Sequence, residues 1–161
     1  MEAEELAARL ARLSHALRDA EEAGVAELRQ RISRRLGEAS ASFAVTVTEC
    51  HLVDFVKRGA PTNASTIADA LGMTRGGVSK LAARLVAKGV MLAGRHRHNQ
   101  KDILYSLTPL GEEVFRAHAE AHKKARRRIA SVLKGYTPTE TALLGDFLDK
   151  LANTLDRAAS S

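Results

Sequence analysis

The sequence has little cysteine and no long apolar run, and both absences narrow what the chain can be. A single cysteine, Cys50, excludes an intrachain disulfide and fits a protein kept in a reducing cytoplasm. No stretch approaches the roughly 20 consecutive apolar residues of a membrane-spanning helix. The acidic, helical start MEAEELAARL is unlike a secretory signal. We therefore expect a cytoplasmic protein without a membrane partner, whose 161 residues suit one domain with extensions.

Motifs that carry catalysis are absent from the sequence. It contains no glycine-rich phosphate loop, no nucleophile elbow and no zinc-hydrolase motif. Asp54 and Asp102 stand alone and are typical of surface carboxylates. We therefore expect no enzymatic activity and no catalytic residues.

Acidic residues are missing from one long window of the chain. Between Thr74 and Lys101 the sequence has no Asp or Glu but seven Lys or Arg residues, in a chain of net charge +6. A local excess of positive charge indicates an anionic partner, although a solvated basic face gives the same pattern.

Apolar residues recur at helical spacing near both ends of the chain. Leucines and other apolar residues mark one narrow stripe over residues 6–17, a second over 25–36 and a third over 144–155. These stripes predict either two amphipathic helices or one bent helix at the N-terminus. A narrow apolar stripe is best covered by a partner helix. We expect residues 1–40 and 111–157 to supply the dimerisation helices of a homodimer.

Residues 43–110 predict a winged helix-turn-helix. A capping box at Thr46 and Glu49 begins one helix, and a short helix at about 65–71 is followed by a second that begins after the N-cap Thr74. Two short strands, 90–93 and 103–107, then flank a basic hairpin tip. The predicted fold class is mainly α with a small β-hairpin wing, flanked by dimerising terminal helices.

This order of elements resembles the MarR family of dimeric transcriptional regulators. The resemblance is clearest from Val47 to Phe115, and it rests on VTVTECHLVDFV, STIADALGMTRGGVSKLAARLVAKGVM and LYSLTPLGEEV. It implies a regulator of transcription, expected to be a repressor, that binds a pseudo-palindromic operator in double-stranded DNA. Family members often carry Asp-x-Arg in the wing, where this chain has Asn99-Gln100-Lys101.

In a helix-turn-helix protein the start of the second helix meets the base edges in the major groove. We therefore expect DNA contacts from ten residues, Thr74, Arg75, Gly76, Gly77, Ser79, Lys80 and Arg84 in the helix and Arg95, Arg97 and Lys101 in the wing. Arg75 is the best candidate for a base-edge contact, and the other helix cations and Ser79 suit phosphates. Arg84 suits a surface salt bridge equally well. The paired glycines would let the backbone approach DNA closely, or are merely tolerated in a first turn.

The histidines suggest a metal ion as the signal that the regulator senses. His118 and His122 stand four residues apart, one helical turn, which suits a single metal ion. Together with His51 they resemble the histidines of zinc-responsive MarR-type repressors, which also use a glutamate from the first helix. Glu49 lies nearer in sequence, and the first-helix candidates are Glu21, Glu22, Glu27 and Glu38. A zinc cofactor is thus one expectation, and a hydrogen-bonded histidine pair is the alternative.

Other interpretations remain open at the level of sequence. The effector could be a small organic anion bound in a hydrophobic cleft, or an oxidant acting on Cys50, although no resolving cysteine exists. A winged helix can also serve as a protein-interaction module instead of binding DNA. Steep salt dependence of binding would distinguish DNA from an apolar protein partner.

Overall fold

Helices make up most of the fold, with one small antiparallel sheet. The structure is a computed structural model that describes residues 2–37, 43–59, 62–96 and 99–159. Its elements in chain order are α1 (Ala3–Leu36), α2 (Val47–Gly59), β1 (Thr62–Asn63), α3 (Ala64–Leu71), α4 (Arg75–Ala87), β2 (Met91–His96), β3 (Asn99–Leu107), α5 (Pro109–Leu133) and α6 (Pro138–Ala159). The predicted class, mainly α with a β-hairpin wing, is confirmed.

The first helix is continuous. Helix α1 runs for 34 residues without a break, so the N-terminal pattern belongs to one helix and not to two. A Cβ added at Gly24 would lie 3.4 Å from the Cβ of Ala121 on α5, an ordinary contact distance. Gly24 therefore lies where α1 and α5 pack against each other.

Capping boxes begin helices α2 and α6. The backbone N–H of Thr46 donates to Glu49 Oε2 over 2.9 Å, and the N–H of Glu49 donates to Thr46 Oγ1 over 3.2 Å. This reciprocal pair is the capping box predicted for α2. Thr137 and Glu140 form the same arrangement at the start of α6.

The sheet has the strand order β1-β3-β2, and all pairings are antiparallel. The sequence did not predict β1, whose two residues pair with Tyr105 and Leu104. The wing strands β2 and β3 extend farther toward the hairpin tip than predicted, and their register shifts between Arg95 and His96. The basic tip is therefore partly strand.

The start of α5 is fixed against the wing by very close packing. A Cβ built on Gly111 would lie 2.1 Å from the carbonyl oxygen of Val90, a separation that real contacts do not reach. Thr108 joins the same elements, since its hydroxyl donates to Gly89 O at 2.6 Å and accepts from the Gly111 N–H at 3.0 Å. The direction in which α5 leaves the wing is thus set at Gly111.

The chain divides into two compact units, Met1–Ala121 and His122–Ser161, and helix α5 runs continuously across the boundary. The first unit holds the hydrophobic core, with Leu52, Ile67, Leu85 and Val90 fully buried. Within the described ranges, no helix is both long enough and apolar enough to cross a membrane.

Candidate nucleic-acid interface and candidate metal site

The helix-turn-helix is formed by α3 and α4. Asn63 caps α3 by accepting the N–H of Thr66 at 3.0 Å. Gly72 ends α3 with φ 61° and ψ 34°, a left-handed conformation that favours glycine. Thr74 then caps α4, because its Oγ1 accepts the N–H of Gly77 at 3.1 Å. The predicted turn and N-cap are confirmed, and α3 begins one residue earlier than expected.

The first turns of α4 present polar and basic side chains to solvent. Arg75, Ser79 and Lys80 are exposed, whereas Val78 and Leu81 are buried on the opposite side. The helix thus packs its apolar face inward and directs a basic face outward. The free N–H groups at a helix N-terminus also favour anions.

The two glycines of this turn differ from each other. A Cβ added at Gly76 would meet no atom within 4 Å, so the backbone there is open to whatever approaches α4. A Cβ at Gly77 would lie 3.1 Å from Thr74 Oγ1, close enough to disturb the N-cap. The N-cap of α4 therefore explains the glycine at position 77. Within the described part of the chain, no contact explains the glycine at position 76.

The wing carries the remaining predicted DNA contacts. Arg95 is exposed on β2, and Lys101 belongs to β3. Arg97 lies outside the described residues, between the two strands. The structure places Arg95 and Lys101 on one hairpin.

Glu49 accepts hydrogen bonds from Arg84 on α4 and from Lys88, which directly follows α4. The carboxylate is 1% exposed, and Lys88 Nζ lies 2.8 Å from each of its oxygens. Arg84 Nε donates to Glu49 Oε1 over 3.3 Å. Burial would raise the pKa of Glu49, but the hydrogen bonds from Lys88 and from the Thr46 N–H outweigh burial and leave the pKa lowered. Glu49 is thus an ionised, buried partner of Lys88 and Arg84.

Three histidines meet in space. His51 on α2 and His118 on α5 have ring centroids 5.3 Å apart, with the rings tilted by 56°. His122 follows His118 by one turn of the same helix, and one nitrogen from each of the three rings lies within 4.8 Å of the others. His118 is buried, and His51 and His122 are half-buried. The predicted histidines are therefore brought together.

A first-helix glutamate lies beside this cluster. Glu21 Oε1 is 3.8 Å from His51 Nε2, with both side chains about two-fifths exposed. Glu21, one of the first-helix glutamates considered from the sequence, therefore lies at the histidines. Glu49 points instead to Lys88 and Arg84, so the structure does not bring this predicted ligand to the cluster. Glu38 lies outside the described residues.

Cys50 is buried in the core. It has no exposed surface, and burial, with the nearby charge of Glu49, raises the pKa of its thiol to about 12. The thiol therefore stays protonated at neutral pH, whereas reactive cysteines are partly exposed thiolates. This environment opposes the redox alternative.

Helices α1, α5 and α6 expose several large apolar side chains. On α1, Leu13 and Leu17 are 51% and 47% exposed. On α5, Val132 is 66% exposed, and on α6, Leu143 and Leu155 are 68% and 61% exposed. The stripes over residues 6–17 and 144–155 are therefore partly exposed, whereas the stripe over residues 25–36 buries Val25, Leu28 and Ile32 in the core.

Comparisons with known proteins agree with this architecture. Residues 45–90 match the MarR family model. YhjH of Bacillus subtilis strain 168, an uncharacterized HTH-type transcriptional regulator, is 29% identical over 103 residues, which cover 64% of this chain and 59% of YhjH. The transcriptional regulator ZitR of Lactococcus lactis subsp. cremoris strain MG1363 is 26% identical over 72% of this chain and 79% of ZitR.

Solved structures show the same fold. The FabT–DNA complex of Streptococcus pneumoniae has a TM-score of 0.74 at 19% identity, covering 98% of this chain and 99% of FabT. The structure of L. lactis ZitR, described as a zinc-responsive MarR family member, has a TM-score of 0.63 at 22% identity, covering 74% of this chain and 83% of ZitR. The relatives found by sequence carry the names of transcriptional regulators and not of enzymes. On these matches, residues 45–90 are similar to the MarR family model, and the chain has the winged helix-turn-helix fold of these solved structures.

Proposed function

We propose that the chain is a homodimeric transcriptional regulator, expected to act as a repressor, that binds a pseudo-palindromic DNA duplex under the control of a zinc ion. One observation carries the DNA-binding part: α4 exposes a basic first turn in a window, residues 74–101, without any acidic residue. The FabT and ZitR relatives have both been solved in complex with DNA, which supports the same role for this chain.

Contacts are assigned by position on α4 and the wing. Arg75, exposed in the first turn, is placed at a base edge, where an arginine fork suits guanine. Ser79, Lys80 and Arg84 contact phosphates and fix the register without reading sequence. The wing cations Arg95, Arg97 and Lys101 add backbone contacts in the adjacent groove.

Dimerisation is assigned to the terminal helices. Exposed leucines on α1 and α6 would be covered by the same helices of a second copy. A two-fold dimer presents two recognition helices to half-sites about one helical turn apart, roughly 10 base pairs between centres. An operator with two-fold symmetry follows from this arrangement.

Zinc is assigned to His51, His118 and His122, with Glu21 as the carboxylate ligand. Three imidazoles and one carboxylate fit the donors and the coordination number of zinc. When bound, the ion would crosslink α1, α2 and α5. Since α2 packs against the helix-turn-helix and α5 leads to the dimerisation helices, such a crosslink would bias the spacing of the two recognition helices.

The DNA assignment is tested by titrating a mixed-sequence duplex at several salt concentrations and then by selecting preferred sites. Binding should weaken steeply with salt, because phosphate contacts release counterions. Arg75→Ala should flatten the base preference of the selected sites, whereas Lys80→Ala should weaken binding to all sequences alike. A shallow salt slope would indicate a protein-interaction module instead.

The metal assignment is tested by zinc titration of chelator-treated protein. We expect one ion per protomer in the wild type and in His15→Ala, a control on the exposed part of α1, but loss of tight binding in His118→Ala and His122→Ala. Zinc at about 100 times its Kd should also raise the free energy of unfolding of the wild type by about 2.7 kcal/mol. Equal zinc binding in all four proteins would refute the site and leave an organic ligand as the effector.

A further inference from the structure

We propose that Glu49 is a positioning residue for DNA binding, which orients the Arg84 guanidinium toward a phosphate. The inference rests on the proposed function, because it concerns how the DNA surface of α4 is built. Glu49 is almost fully buried at the start of α2, 35 residues before Arg84 in sequence, and the two meet only through the fold. The hydrogen bond uses Nε of the guanidinium and leaves its terminal N–H groups to a second acceptor.

The charged triad of Glu49, Lys88 and Arg84 extends from the protein interior to its surface. The carboxylate side chain of Glu49 is 1% exposed, Lys88 is 23% exposed and Arg84 is 58% exposed. Lys88 contacts both carboxylate oxygens at 2.8 Å and so neutralises Glu49 in the interior. One net positive charge remains, and it lies on the exposed guanidinium.

The position of Arg84 along α4 suits a phosphate contact. Lys80, Arg84 and Lys88 are spaced by four residues and follow one edge of the helix. Lys80 is exposed, and Lys88 turns inward to Glu49. Arg84 lies between them, so it connects the buried carboxylate with the basic surface that α4 presents.

An arginine held by a buried carboxylate loses less side-chain entropy when it binds a phosphate, because its rotamers are already restricted. Glu49 is the buried carboxylate that restricts Arg84 in this way.

The test is a double-mutant cycle on duplex binding with Glu49→Gln, Arg84→Ala and the double variant, read as the salt dependence of Kd. Each phosphate contact contributes about 0.9 to the salt slope, so losing one should reduce the affinity ratio between 50 and 200 mM salt by about threefold per protomer. We expect Glu49→Gln and Arg84→Ala to show this reduction equally, and the double variant to show no more than either. Lys80→Ala is the control, and its effect should add to that of Glu49→Gln.

The direction of the effect separates positioning from simple charge. Glu49→Gln raises the net charge by one, so general electrostatics alone would tighten DNA binding. Tighter or unchanged binding, or additive effects of Glu49→Gln and Arg84→Ala, would overturn the inference.

Arg84→Lys tests the same point without altering the buried carboxylate. Lysine keeps the positive charge but has one ammonium nitrogen, whereas the guanidinium can donate to Glu49 and to a phosphate through different nitrogens. We therefore expect Arg84→Lys to lose the phosphate contact as Arg84→Ala does. Wild-type affinity in Arg84→Lys would overturn the positioning role. A wild type that shows no salt-dependent duplex binding would instead refute the DNA-binding function itself.

Discussion

Substituting Gly76 by alanine should stabilise the protein while weakening its binding to DNA. An added Cβ would meet no atom within 4 Å, so the folded chain accepts the methyl group without strain. Alanine is favoured over glycine inside a helix by roughly 0.5–1 kcal/mol, and the free energy of unfolding in urea should rise by up to that amount.

If the α4 backbone approaches DNA closely at Gly76, as we propose, the same methyl group would occupy the space between them. Inserting a methyl into a well-packed contact costs about 1–3 kcal/mol, which corresponds to a rise of roughly 5- to 150-fold in Kd. Fluorescence anisotropy with a duplex selected by the wild-type protein measures this change. The opposite signs of the two effects make the prediction specific.

Gly59→Ala is the matched control. Gly59 is also exposed, ends α2, and has no atom within 4 Å of an added Cβ. It should leave DNA affinity unchanged. Unchanged or tighter DNA binding by Gly76→Ala would show that the glycine is merely tolerated and that the backbone does not approach DNA closely there.

Three further predictions concern the fold and its buried groups. Gly111→Ala should lower the free energy of unfolding in urea by about 3 kcal/mol or more, because its methyl carbon would lie 2.1 Å from the Val90 carbonyl oxygen; a loss below about 1 kcal/mol would show that this contact does not fix α5. Cys50, with a thiol pKa raised to about 12, should resist iodoacetamide at neutral pH in the folded protein and react once unfolded; rapid alkylation of native protein, followed by mass spectrometry, would contradict its burial. The hydrogen bond from the Thr137 N–H lowers the pKa of Glu140, so its contribution to stability is present above the unfolded-chain pKa of about 4.3 and is lost as pH falls through the lower folded-state pKa. Unfolding measured across the acid range should therefore depend less on pH in Glu140→Gln than in the wild type, and identical profiles would refute the cap.

Local signals in the sequence predicted much of the fold. The capping box at Thr46 and the N-cap at Thr74 each join residues three apart, so both partners could be recognised in the sequence. The leucine stripe of α1 left open whether one helix or two would form, since Gly24 alone does not decide between continuation and a break. In the structure α1 continues through Gly24, which packs beside Ala121 of α5, a contact that sequence spacing does not reveal.

Strand β1 and the outer parts of the wing strands were not predicted. Strand β1 has only two residues, and it exists because β3 supplies its hydrogen-bonding partner. The outer parts of β2 and β3 could not be recognised from the sequence, because the wing tip is polar and lacks the alternation of apolar and polar residues that indicates a strand.

The candidate metal site was also predicted only in part from the sequence. The four-residue spacing of His118 and His122 is visible in the sequence, and the proximity of His51 was expected only from family resemblance. Several glutamates were equally plausible as the fourth ligand, and the fold alone brings Glu21 to His51. The carboxylate of Glu49, near His51 in sequence, is instead bound by Lys88, 39 residues away.

We propose that a zinc ion at the three histidines controls DNA binding. The most direct measurement compares the Kd of zinc-free and zinc-loaded protein for a selected duplex, with His122→Ala measured in parallel. Coupling between two sites is typically 1–3 kcal/mol, so zinc should change the wild-type Kd by about 5- to 150-fold and leave that of His122→Ala unchanged. Equal affinities of zinc-free and zinc-loaded wild type would contradict control of DNA binding by zinc.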